Sequence, residues 1–223
     1  MQKEFNSDDL ERAGSPSGEE ASFVHRLQAN EDAAYDELTR TYTSAIYHVA
    51  YRMLGDSAEA SDVVQEIFLK VFRNIRSFRG DSSLKTWIYR IAFSEILNRL
   101  RWWKRRFRFA TISLDDGPDG ASPRFYLRHS GPSPHQALET KERETVVQAA
   151  LKQMSRDHRS ILVLRDIEGF SYTEIGDVLG LSAGTVKSRL ARARADMKRV
   201  LMRPAMAPSV GFARSMEIEE EII

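Results

Sequence analysis

Between residues 22 and 108 the apolar positions recur at helical spacing almost without a break. The interruptions at Gly55-Asp56 and over residues 77–83 mark where one helix stops and the next begins. Within residues 61–72, Val64, Phe68, Val71 and Phe72 stand at i, i+4, i+7 and i+8, a stripe that predicts one buried face. Asp62, Gln65, Glu66, Leu69 and Arg73 line the other side. Leu69 interrupts that polar face, as a protein contact or as one of the single exposed leucines common on surfaces. The pattern alone leaves both open.

A second helical block covers residues 138–202. Ser171 followed by Glu174 is a capping box and predicts a helix starting after Ser171. Gly180 stops it, and Ser182 caps a further helix that can run to about Leu201. Val186, Leu190, Ala193 and Met197 fall on one face of this last helix, and Ile175, Val178 and Leu179 give its predecessor a matching one. A short helix, a glycine-containing turn and a longer basic helix form a helix-turn-helix. Ahead of it, Leu151, Met154, Ile161, Leu162 and Leu164 can build a supporting hairpin that Ser155 caps and Glu168-Gly169 ends.

Residues 113–136 hold Pro118, Pro123, Pro132, Pro134 and three glycines, too many turn residues for a long helix. Residues 108–114 can pass for one short strand. The fold expected is all-α, two small helical domains joined by a flexible linker. Its parts are a disordered tail (1–21), a first domain (22–108), the linker (109–137), a helix-turn-helix domain (138–203) and an acidic tail (204–223).

Composition excludes more than it assigns. Lys plus Arg is 33 and Asp plus Glu is 32, so bulk charge selects no partner. Its distribution is more telling, since residues 96–114 carry six basic and no acidic side chains, whereas the tail MEIEEEII is acidic. Cysteine is absent, which removes disulfides and thiolate chemistry. No signal peptide or membrane-length apolar run is visible, so a cytoplasmic protein without membrane insertion is expected. His25, His48, His129, His135 and His158 are scattered, and His158 reads as an exposed first-turn residue. Phosphate-binding loops and nucleophile elbows are missing too. No catalytic residue, metal or cofactor is expected.

The basic segments suggest nucleic acid instead. Near the N-terminus of the last helix, Lys187, Ser188, Ala191 and Arg192 share the exposed side, where recognition helices meet base edges. Lys and Arg donate to guanine, and an alanine methyl can meet thymine. Thr185, Arg189, Arg194 and Lys198 are better placed for phosphates. The bland alternative is a basic helix that only keeps the surface hydrated. The helix after residue 83 mixes Trp87, Tyr89 and Phe93 with a run of cations, a combination suited to opened strands. Against this, Trp87, Ile88, Ile91 and Ile96 fit a core, and Trp102-Trp103 beside four cations fit a membrane-surface anchor.

Three stretches, DVVQEIFLKVF, FRGDSSLKTWIYRIA and LRDIEGFSYTEIGDVLGLSAGTVKSRLARAR, occur in this order. In them the chain resembles the extracytoplasmic-function sigma factors of bacterial RNA polymerase, over residues 23–108 and 138–202. The resemblance implies that Asp62, Gln65, Glu66 and Leu69 dock on a coiled coil of the polymerase's largest subunit. It places Phe78, Arg79, Gly80, Asp81 and Ser82 in the loop that captures a flipped base of the promoter −10 element. Lys85, Asn98 and Arg101 then lie along the upstream edge of the melting DNA. Lys187, Ser188, Ala191 and Arg192 meet the −35 element, and the linker threads toward the RNA channel. Core RNA polymerase, promoter DNA and an anti-sigma factor are the implied partners.

Three departures stand out. Ser94 occupies a position often held by Asn, and Met154-Ser155 replaces a common Leu-Pro. Gly176 stands where Ala is usual, at a helix-propensity cost of about 1 kcal/mol, which gives the helices room to approach. The competing reading is a free-standing helix-turn-helix regulator that dimerises on a two-fold operator. Charge alone suggests that the acidic tail folds over the basic reader.

Overall fold

The computed structural model describes residues 18–106 and 134–203. Among them the chain forms eight α-helices and no strand. Helices α1 (Gly18–Gln28), α2 (Asp32–Leu54), α3 (Ser57–Asn74) and α4 (Leu84–Arg106) make a first unit. A second comprises α5 (Pro134–Gln153), α6 (Arg156–Leu162), α7 (Tyr172–Leu179) and α8 (Ala183–Leu201).

The breaks fall where the pattern placed them. Gly55 ends α2 at φ 76°, its N–H donating to the Tyr51 carbonyl, a left-handed conformation that glycine adopts without a Cβ penalty. Asp56 then caps α3 by accepting from the Glu59 N–H at 2.9 Å. The predicted stripe of α3 is inside: Val64, Phe68 and Val71 are buried and Phe72 packs edge-on against Tyr35. Val63 and Ile67 are buried as well, so the inner face is wider than the stripe. Each such side chain contributes about 1.5–3 kcal/mol on leaving water.

The second unit follows its forecast hairpin, with Leu151, Met154, Ile161, Leu162 and Leu164 buried. Ser155 caps α6 by accepting from the His158 N–H at 3.3 Å. A widened π turn over Val163–Ile167 ends that arm, the Glu168 N–H reaching the Val163 carbonyl. It delivers Phe170 into the core, 1% exposed.

Two expectations need correction. A helix begins at Gly18, inside the segment expected to be disordered, because Glu20 reaches across to α4 and accepts from the Leu84 N–H. Helix α5 starts at Pro134, four residues before the predicted Leu138, with proline in the first-turn position that suits it. The two helical units touch: α7 packs on α4, α5 and α6 pack on α2, and one buried apolar cluster runs through both. The short strand considered for residues 108–114, most of the linker and both expected tails up to Ser17 and from Pro204 lie outside the described residues.

Candidate nucleic-acid interface

The helix-turn-helix is built from local hydrogen bonds. Ser171 Oγ accepts from the Glu174 N–H at 3.2 Å, and the Glu174 carboxylate accepts from the Ser171 N–H at 2.8 Å. Two otherwise orphaned donors are thereby satisfied. Ser171→Ala is expected to cost about 1 kcal/mol, read as a lower urea midpoint at unchanged slope. Gly180 closes α7 at φ 68°. The turn then runs so close to α7 that a Cβ on Gly176 would stand 2.6 Å from the Leu181 carbonyl oxygen. The glycine in place of the usual alanine thus fits the close approach inferred for it. Ser182 caps α8 by accepting from the Thr185 N–H at 3.3 Å.

With Val186, Leu190 and Ala193 buried against α7 and α6, the outer face of α8 presents Lys187, Ser188, Ala191 and Arg192 to solvent. Arg192 makes no ion pair among the described residues. The expected phosphate contacts are engaged within the fold. Lys198 is exposed. Arg194 forks onto the Asp166 carboxylate at 2.6 and 3.2 Å, and Arg189 is 4.0 Å from Asp157. Thr185 is half-buried and its hydroxyl is bonded to Ser182. These three are therefore occupied within the fold.

His158 is not the exposed first-turn residue expected. It is half-buried, its Nδ1 3.0 Å from the Asp196 carboxylate of α8. Bonding to His158 first, and to Arg199 second, holds the Asp196 carboxyl below the usual aspartate range. A depressed folded-state pKa gives stability that is present above the unfolded value and fades as pH falls through the folded one. Asp196→Asn should therefore flatten the acid side of the stability profile, seen as urea midpoints that change less than wild type on acidification.

On the first unit, Asp62, Gln65, Glu66 and Leu69 line the outer face of α3, with Leu69 51% exposed. Glu66 accepts from Arg99 at 2.8 Å and so also ties α3 to α4. In the loop, Phe78 differs from its expected role: it is 8% exposed, its ring 5.3 Å from Trp87. It anchors the loop. Gln28 donates to the Ile75 and Phe78 carbonyls at 3.2 and 3.0 Å, and Ser83 caps α4 by accepting from the Thr86 N–H at 3.1 Å. Between these pins Arg79 and Asp81 are exposed, Gly80 turns at φ 78°, and Ser82 is half-buried.

Lys85 is occupied too. Its ammonium lies 4.4 Å over the Phe170 ring and donates to the Glu168 carbonyl at 3.3 Å. Asn98 and Arg101 are exposed and bonded to each other, in a groove with Glu66, Glu95, Arg99, Trp102 and Arg105. Tyr89 and Phe93, read as strand-gripping aromatics, are 1% exposed and unfit for that task. Burial and the hydrogen bond to Glu168 push the Tyr89 phenol well above its usual range, so it stays a donor. The aromatic facing solvent is Trp102, with the Arg106 guanidinium 5.0 Å from its ring. Its place in the groove was missed, although the run of cations around it was the available signal. Among the described residues no helix is long and apolar enough to cross a membrane, and no acidic or histidine cluster is arranged to hold a metal.

The family model described as sigma-70 region 2 matches residues 38–106, and that for sigma-70, region 4 matches residues 144–197. The chain is 34% identical over 183 residues to the RNA polymerase sigma-H factor of Pseudomonas aeruginosa, covering 82% of this chain and 94% of the relative. It is 32% identical over 171 residues to the ECF RNA polymerase sigma-E factor of Escherichia coli, covering 77% and 88%. A similar fold occurs in the sigma factor RpoE of Bartonella quintana, solved with the anti-sigma factor NepR. There the TM-score is 0.57 at 23% identity, over 76% of this chain and 98% of that one. CnrH, solved with the cytosolic domain of CnrY, gives 0.58 at 22% identity, over 82% and 96%.

Proposed function

The chain belongs to the sigma-70 family, in its extracytoplasmic-function group, and on that footing we propose that it directs core RNA polymerase to the promoters of one regulon. Members of this family are initiation factors, and the polymerase supplies the chemistry. Asp62, Gln65, Glu66 and Leu69 dock on the polymerase. The loop tip at Arg79, Gly80, Asp81 and Ser82 holds a base of the −10 element as the duplex melts, while Phe78 fixes the loop from beneath. Asn98 and Arg101 follow the strand beside it. Lys187, Ser188, Ala191 and Arg192 read the −35 element. An anti-sigma factor covering these surfaces is the partner that keeps it silent, and its place of work is the cytoplasm.

One observation carries this reading. A doubly capped helix-turn-helix turns four side chains able to contact base edges out of one open face of α8, backed by a buried stripe. A helix so placed suits the major groove.

Neither module alone offers the contacts of a tight duplex binder, since phosphate binding weakens steeply with salt. The chain by itself is therefore expected to leave a promoter duplex unshifted at physiological salt, and to yield a discrete complex when core polymerase is added. A tight, site-specific shift by the chain alone would instead identify a free-standing regulator.

A further inference from the structure

Helix α1 precedes the residues matched by the region 2 model, which begin at 38, yet it is bonded to both ends of the loop at 78–83. At the entrance, the helical ladder of α3 gives way to a 3-10 turn over Ile75–Ser77. Carbonyls released at such an end need other donors. The Gln28 amide supplies them, its Nε2 donating to the Ile75 carbonyl at 3.2 Å and to the Phe78 carbonyl at 3.0 Å. Those two bonds use both of its N–H groups.

At the exit, the first N–H groups of α4 have no partner within their own helix. The Ser83 hydroxyl accepts from Thr86, and the Glu20 carboxylate accepts from Leu84. A carboxylate is favourable at this positive end of a helix. Leu84 itself is buried, so its N–H depends on the partner that α1 provides.

Helix α1 is held in turn by α2. Leu27 is fully buried, the Tyr35 hydroxyl donates to the Leu27 carbonyl at 3.1 Å, and Arg26 meets Glu37 at 3.1 Å. Glu20 and Gln28 lie on this one helix, about 12 Å apart along its axis at the usual rise per residue. The two pins therefore stand at a separation fixed by helical geometry. Between them, Arg79 and Asp81 are exposed and Gly80 turns at φ 78°. A loop already held in its working shape loses less freedom when it binds.

We propose that α1 is the positioning element of this loop: Gln28 and Glu20 hold its two ends at a set separation, and so determine which base the tip accepts. This rests on the sigma-factor reading for what the tip holds, whereas the tie rests on the hydrogen bonds alone. Both residues act through the loop. A helix that only stabilised the unit would affect every promoter alike, and that difference decides the test.

The full chain is used throughout, with Gln28→Met, which keeps the length of the side chain without its donors, and Glu20→Ala. In the free protein, amide hydrogen exchange over residues 79–83 should become about tenfold faster in each variant, with α8 unchanged. Glu20→Gln, which retains an acceptor oxygen, should restore most of the protection. Loop exchange that stays at the wild-type rate in both variants overturns the tie without involving polymerase. In the second arm, each protein is assayed with core polymerase on promoters carrying each of the four bases at each −10 position. Both variants should lose about fivefold or more of the preference at one −10 position while keeping the −35 preferences. Equal loss on every sequence, or −10 preferences that do not move, overturns the positioning role and leaves the sigma reading intact. A wild-type chain with no −10 preference contradicts the sigma reading instead, and the exchange rates then decide the tie.

Discussion

Leu69→Arg is expected to yield a folded chain that no longer co-elutes with core RNA polymerase. The side chain is 51% exposed, while its neighbours Ile67 and Phe68 point inward. Replacing it therefore leaves the core intact, and surface changes of this kind stay within about 0.5 kcal/mol. Its surroundings give the leucine its importance for binding. Asp62, Gln65 and Glu66 supply a polar rim on the same face of α3, and Leu69 is the apolar group that a partner can desolvate. Anchors of this type cost about 2 kcal/mol or more when lost, roughly thirty-fold in affinity. An arginine adds a charge that must be dehydrated at the same spot. Thermal unfolding monitored beside gel filtration separates the two effects: an unchanged midpoint with lost co-elution is the expected pair. Co-elution that survives removes α3 as the docking face.

Arg192→Ala should weaken transcription from the cognate promoter through a single base position of the −35 element. A bidentate arginine–guanine contact is worth about 1–3 kcal/mol of discrimination, roughly five- to hundred-fold. Arg192 has no ion pair among the described residues, so its removal leaves the fold undisturbed. Promoters randomised at each −35 position report the effect directly. The variant should become indifferent at one position and keep its preferences at the others. Equal loss on every sequence would make Arg192 a phosphate contact and move base reading elsewhere on α8.

The helix-turn-helix was legible in the sequence because its determinants are local. Ser171 and Glu174, Gly180, and Ser182 with Thr185 each act within one turn of their own position, and the apolar period of α8 is a property of nineteen consecutive residues. The outward face of α3 was legible for the same reason. What escaped depends on distant partners. The burial of Phe78 follows from Trp87 and from Gln28, which donates to its carbonyl from fifty residues away. His158 finds Asp196 across 38 positions, and Lys85 finds Glu168 across 83. Helix α1 starts early because Glu20 has a donor 64 residues on. Spacing rules carry no information about such pairs. Most of them arise when the helices of one unit pack together, and Lys85–Glu168 only where the two units meet.

The central claim is that this chain gives RNA polymerase its promoter specificity. Run-off transcription on a fragmented genomic library, with the chain alone, core polymerase alone and both together, tests it most directly. The expected result is a set of discrete transcripts that require both components and whose upstream sequences share two short elements at a fixed spacing. Core polymerase giving the same transcripts with or without the chain, or none at all while the chain alone shifts specific fragments, would contradict it.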